Sequence, residues 1–281
     1  LREQEVGGSN PLAPIFPIRD NTFIPKVMAA QKTQAIVIRT FPLKEFHKII
    51  TFYTPDFGKV KAVAYGVKSP KSKLGGSLEL LNHGTLLFQH RENRELQQVT
   101  DFNLINGFDT IRSDFTRITY GCYFAELVDS IASEGIANPE IFDLLQTTYQ
   151  FLLDADDVPL LARGFEIKFL DHAGYAPELS RCVHCGSDVQ GAVANRFGIA
   201  FSIRYGGVLC VDCKNRDGAA FTIAPGSCEL LKMLRKAEWE RFNRIRASTR
   251  NHQELKRVLG SFIEYHTERS LKSLKFIENV L

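Results

Sequence analysis

Apolar and polar positions change their rhythm once along this chain, near residue 107. Upstream, short β-branched and aromatic runs predict strands. Gln34-Ala-Ile-Val-Ile-Arg39 is the first and Ile49-Ile-Thr-Phe-Tyr-Thr54 the second, followed by Pro55-Asp-Phe-Gly58 as a turn. In Lys59-Val-Lys-Ala-Val-Ala-Tyr65 the two lysines share one side and Val60, Ala62 and Ala64 the other, the alternation of a half-buried strand with a basic solvent face. A loop with Lys68, Lys71 and Lys73 follows, ending at Gly75-Gly76. Two further strands are predicted around 84–89 and 95–102. Five short strands within about 75 residues fit a small closed β-barrel of the OB type.

Downstream, apolar residues recur at helical spacing in 111–134, 139–154 and 158–172. Asp114 and Asn138 have the side chains of N-caps, the latter with Pro139 at the first helical position. Gly174 and Pro177 end this run. A hairpin is predicted within 196–209, and helices over 227–236 and, as one continuous element, 253–280. The fold class expected is therefore α+β and multidomain. A barrel over 28–106 precedes a helical domain over 107–281 that carries a cysteine module at 180–215.

Residues 1–27 stand apart. They hold four of the eleven prolines and precede the first methionine, Met28, and are expected to be a disordered or non-native extension. No apolar run approaches the roughly 20 residues of a membrane span. The N-terminus also lacks the basic, apolar and small-residue sections of a secretory signal, so a cytoplasmic location is expected. The net charge of +3 conceals a segregation. Residues 31–80 carry nine Lys and Arg against three acids, residues 231–281 twelve against six, and the stretch between them eleven against twenty. Two basic ends flanking an acidic middle point to a polyanionic partner for the ends.

The candidate chemistry begins with Cys182-x-x-Cys185 and Cys210-x-x-Cys213. Two thiolates three residues apart clamp a metal from a tight turn. Two such clamps complete a tetrahedral Zn²⁺ site with no open position, so one structural zinc ion is expected, with paired disulfides as the alternative. Cys122 and Cys228 sit in apolar helical patterns and read as buried thiols. His184 lies inside the first clamp, but four cysteines already complete the site. The other histidines show no metal-site or relay spacing, and Asp154, Asp156 and Asp157 read as a solvated loop. The chain has no phosphate-cradling glycine loop, HExxH helix or GxSxG elbow, so no enzyme is expected. Binding remains: Arg39, Lys44, Lys48, Lys59, Lys61, Lys68, Lys71 and Lys73 lie on the barrel, where such side chains track phosphates. Phe41, Phe46, Tyr53, Phe57 and Tyr65 are possible base-stacking platforms. Near the C-terminus Trp239, Phe242, Arg241, Arg244, Arg246 and Arg250 suit nucleic acid or an acidic peptide.

These segments, in this order and spacing, resemble the bacterial RecO family of DNA repair proteins. The matching pieces are Gln34–Arg39, Ile50–Lys59, Val63-Ala-Tyr-Gly66, Ser72-Lys-Leu-Gly-Gly76, Cys182-x-x-Cys185-Gly186 and Gly206-Gly-x-Leu-Cys210-x-x-Cys213. They span about residues 31–281. The resemblance implies a non-enzymatic, nucleoid-associated recombination mediator that binds single- and double-stranded DNA and anneals complementary strands. It implies that such a protein works with RecR, docks the acidic C-terminal tail of single-strand-binding protein (SSB), and helps load the recombinase. For the tail, Arg112, Phe115, Arg117 and Tyr120 supply cations beside aromatic groups at helical spacing. The competing reading, from a different class, is a zinc-ribbon protein-interaction adaptor with no direct role on DNA.

Overall fold

A computed structural model describes residues 29–91, 94–189, 198–268 and 270–280. The expected extension at 1–27 and part of the expected hairpin lie outside these residues. Five strands close into a barrel in the order β1-β2-β3-β5-β4. They are β1 (Ala29–Leu43), β2 (His47–Thr54), β3 (Gly58–Ala64), β4 (His83–His90) and β5 (Gln97–Asn106). All pairings are antiparallel except β3 with β5, the OB arrangement.

The barrel wall explains why residues 35–38 of β1, Ala-Ile-Val-Ile, form an unbroken apolar run. Ala35 and Val37 point into the barrel with Ile50, Phe52, Val60, Ala62, Leu86, Phe88 and Phe102. Their neighbours Ile36, Ile38 and Tyr53 point outward, yet they too are buried, in the core of the helical region. A strand covered on both faces has no polar side to show. Arg39 is where that cover ends.

The helices are α1 (Asp109–Ser113), α2 (Phe115–Ile131), α3 (Pro139–Leu152), α4 (Val158–His172), α5 (Pro225–Lys236), α6 (Thr249–Thr267) and α7 (Lys272–Val280). The expected helix over 111–134 is thus two elements. Asp114 is extended and accepts from the backbone N–H of Arg117, so it ends one helix and caps the next. Asn138 caps α3 in the same way. The single helix expected over 253–280 is likewise interrupted. Glu268 adopts a left-handed conformation (φ 50°), and α7 starts at Lys272, its first backbone N–H groups bound by Glu126 of α2. A three-stranded sheet, β7-β6-β8, formed by β6 (Ile199–Ser202), β7 (Gly207–Leu209) and β8 (Phe221–Ile223), joins the helical core through Phe201, Val208 and Ile223.

Barrel and helical region also meet where β3 and β5 pair least. Those strands touch only at Ala62–Gln97 and Val63–Gln98. The start of β3 is covered instead by the segment after α2: Gly58 and Lys59 bridge Glu134, and the N–H of Gly135 donates to the carbonyl of Lys59 at 3.4 Å. Gly58 (φ 59°) suits this contact, because a Cβ there would lie 2.0 Å from the carbonyl oxygen of Ile136.

Candidate nucleic-acid interface and metal centre

The eight barrel cations fall into two groups. At one end of the barrel the β1–β2 turn meets the 65–73 loop. The N–H of Lys68 donates to the carbonyl of Phe46 at 3.1 Å, and the N–H of Gly66 donates to Nδ1 of His47 at 2.9 Å. These bonds make one surface of two loops. Lys44, Lys68, Lys71 and Lys73 are exposed on it, and none forms an ion pair among the described residues. Phe46 and Tyr65 stand among them, 46% and 59% exposed, with Tyr65 edge-on to His47 at 5.2 Å. Lys44 itself is left-handed (φ 53°), which forms the tight tip of the hairpin.

The other four are held by carboxylates. Asp129 of α2 accepts Arg39 at 3.0 Å and lies 3.3 Å from the ammonium of Lys59, which also donates to the Asp129 carbonyl oxygen at 2.7 Å. Lys61 pairs with Glu134, and Lys48 with Glu79 at 2.8 Å. The sequence pattern therefore misreads one face of β3: Lys59 and Lys61 turn toward the end of α2 and the segment after it, and Lys59 is only 11% exposed. Asp129 and Glu134 are the residues that strand alternation misses. The acidic middle of the chain is their signal, since its charge is placed against the barrel's.

Of the five candidate platforms, Phe41, Phe46 and Tyr65 are exposed. Phe41 lies beneath the Arg39 guanidinium at 4.3 Å. Tyr53 is core; its hydroxyl donates to the carbonyl of Asn138, and burial, with Glu140 adding, pushes its pKa up to about 12. Phe57 packs edge-on to Phe88. In the C-terminal segment Trp239 stacks on Phe242 and Phe151, turning the aromatic residues inward while Arg241, Arg244, Arg246 and Arg250 stay exposed. That segment also hydrogen-bonds the acidic 154–157 loop through Asn243.

The four residues expected to dock an acidic tail are not gathered on one surface. Arg112 donates to the carbonyls of Gly107 and Leu80 and to the Asn82 side chain, tying the barrel's end to α1. Arg117 donates to the carbonyls of Leu152 and Ala155, closing the end of α3. Tyr120 is buried. Phe115 alone of the four is an exposed ring, edge-on to Phe276 at 6.0 Å.

The two cysteine clamps do come together. Gly186, left-handed at φ 74°, turns the chain so that its N–H donates to the carbonyl of Cys182 at 2.8 Å. The N–H of Cys213 donates to the carbonyl of Cys210 at 3.1 Å, forming the second turn. All four sulfurs lie within 4.8 Å of one another, and no disulfide joins them. Cys185 and Cys210 are 3.7 Å apart. A tetrahedral ion with metal–sulfur bonds of about 2.3 Å places its sulfurs ~3.8 Å apart, so this set can hold a metal ion. The Ser187 hydroxyl, its N–H and the neighbouring thiols draw Cys185 down to about 6, while burial and those same thiols push Cys213 up to about 12. His184 lies 3.6 Å from the Cys213 sulfur, beside the set of four.

Known proteins bear the same two parts. Residues 28–108 match the family model described as recombination protein O N terminal, and 112–275 the model described as recombination protein O C terminal. A DNA repair protein RecO from Desulforamulus reducens is 31% identical over 90% of this chain and 96% of its own length. One from Pelotomaculum thermopropionicum is 34% identical over 89% of this chain and 94% of its own. One from Halalkalibacterium halodurans is 31% identical over the same shares. No helix among the described residues is long and apolar enough to cross a membrane. With matches to both family models and near-full-length similarity on each side, the chain belongs to the RecO family of DNA repair proteins.

Proposed function

We propose that this protein is a recombination mediator that binds single- and double-stranded DNA through the barrel and anneals complementary strands. In this reading it works with RecR and the acidic tail of SSB to load the recombinase. The division of labour follows the chain, with the barrel over 28–106 as the DNA-binding domain and 107–281 as the partner-facing domain. Zn²⁺ in the Cys182, Cys185, Cys210 and Cys213 set braces the latter.

The observation that carries this reading is the barrel-end surface where Lys44, Lys68, Lys71 and Lys73, without ion pairs among the described residues, stand beside exposed Phe46 and Tyr65. Cations neutralise backbone phosphates, and aromatic faces stack on unpaired bases of any sequence. Annealing needs little more than a surface that lowers the repulsion between two backbones. Arg39 and Lys61, at the rim, add to this surface when phosphate replaces Asp129 or Glu134. Lys48 and Lys59 act mainly by holding the barrel in place.

The test is an anisotropy titration with single-stranded DNA over a salt series. Four phosphate contacts predict a log–log slope of about −3. Replacing the four tip lysines with glutamate abolishes binding and leaves the circular dichroism spectrum unchanged. Weak binding with little salt slope in the parent protein would instead support the protein-interaction adaptor.

A further inference from the structure

The barrel-end surface is made of two loops, and a histidine side chain joins them. His47, the first residue of β2, is half-buried and lies across from Leu43 of β1 in the hairpin register. Its ring reaches the neighbouring loop, where Nδ1 accepts the N–H of Gly66 at 2.9 Å. A ring nitrogen that accepts a hydrogen bond carries no proton, so the hydrogen of His47 sits on Nε2 and the ring is neutral.

What this bond holds is the start of the lysine loop. Gly66 is left-handed (φ 66°), and its carbonyl accepts the N–H of Ser69 at 3.0 Å, closing the turn that carries Lys68. The carbonyl of Ser69 accepts in turn from Ser72 at 2.9 Å, across Lys71. Tyr65, just before Gly66, stands edge-on to the His47 ring. The backbone bond from Lys68 to Phe46 ties the loop to the hairpin at a second point, and Val67 is seated in the barrel core. Two bonds set a loop's direction where one lets it pivot, and a surface held in one direction meets its ligand without the cost of ordering.

We propose that His47 is a positioning residue of the nucleic-acid surface. Unprotonated Nδ1 holds Tyr65 and the lysine loop in the orientation that meets DNA, and a proton on Nδ1 releases them. His47 has this role only if the barrel end is the DNA surface. The sign of the effect is distinctive. A histidine that merely lies beside phosphates gains a charge on protonation and binds DNA more tightly, whereas protonated His47 loses the bond that orders the surface. Among the groups around it, Lys48 is tied to Glu79 at 2.8 Å, Lys44 and Glu45 at the hairpin tip carry opposite charges, and the loop presents Tyr65 and Lys68.

Anisotropy titrations of the full chain with single-stranded DNA at fixed salt, from about pH 8 to about pH 5, test this over the range in which histidine titrates. His47→Asn places a carbonyl oxygen where Nδ1 stood, keeps the acceptor at every pH and retains the response of the other histidines. It should match the parent at the alkaline end and bind about fivefold more tightly than the parent at the acid end, the contribution of one hydrogen bond. His47→Ala should bind about fivefold more weakly than both at the alkaline end. Amide exchange without DNA follows the bond itself: Gly66 should be protected in the parent at alkaline pH and in His47→Asn throughout, and unprotected in His47→Ala. Circular dichroism melts check folding, and His47→Gln serves if the alanine variant does not fold. A parent that binds as tightly as His47→Asn at the acid end, or parental affinity and Gly66 protection in His47→Ala, would overturn the proposal. A Lys68→Glu, Lys71→Glu variant run alongside should lose binding whatever His47 does. If it binds like the parent, the barrel end is not the DNA surface, and the role of His47 in DNA binding falls with it.

Discussion

A lysine's partner decides what it is for. Lys59 and Lys68 sit nine residues apart on the same barrel, but Lys59 is packed beneath α2 with two oxygens of Asp129 and Lys68 is free in solvent. Lys59→Ala should lower folding stability by about 1–3 kcal/mol, since a half-buried carboxylate loses a cation, and change DNA affinity little. Lys68→Ala should do the reverse. Urea melts and DNA titrations of the two variants read both effects; equal loss of DNA affinity would show that Lys59 is released to the nucleic acid. A second residue-scale effect is pH-dependent. Glu254 is partly buried, which raises its pKa, but bonds from Ser227, Arg250 and the N–H of Ala224 outweigh that and hold it below the ordinary carboxylate value. Its stabilisation is therefore complete above the unfolded value, about 4.3, and is lost as pH falls through the lower folded value. Glu254→Gln should flatten this acid limb of the stability curve, measured as denaturation midpoints between about pH 5 and pH 3.

Elements were legible in proportion to how locally they are determined. The five strands and helices α3, α4 and α5 follow from apolar spacing and caps written in adjacent residues, as at Asp114, Asn138 and Pro139. The break between α6 and α7 was not legible: the apolar rhythm runs on through 268, and Glu126 from another helix captures the new N-terminus. The cysteine clamps carried their own geometry in their spacing. The barrel cations did not, because whether a basic side chain is free depends on acids 31 to 90 residues away. The cysteine module also yields an element-scale expectation. If a metal holds the two clamps, a strong chelator should lower the Tm and expose the 180–215 region to protease, and Cys210→Ser should do the same without chelator. Unaltered proteolysis in both cases would mean that the packing of Phe201, Val208 and Ile223 suffices.

At the scale of the whole molecule, opposite charges in sequence become neighbours in space. The acidic middle of the chain is not a surface set apart from the basic barrel; through Asp129 and Glu134 it is partly spent on fastening the barrel down. Lys44, Lys68, Lys71 and Lys73, which form no ion pair among the described residues, lie together at one end of the barrel, the end proposed to meet nucleic acid.

The covering of β3 by residues 134–136 also sets where this protein can be cut. Gly58 and Lys59 offer their backbone to that segment because β5 reaches only as far as Ala62 and Val63. A fragment ending near residue 108 would carry every barrel strand and still bare a stretch of unpaired edge, the template on which sheets of separate chains join. Such a fragment should self-associate with rising concentration, seen as growing mass in light scattering, whereas one extended through residue 137 with α2 intact should stay monodisperse for longer. The boundary that matters for solubility thus falls some 30 residues beyond the last strand.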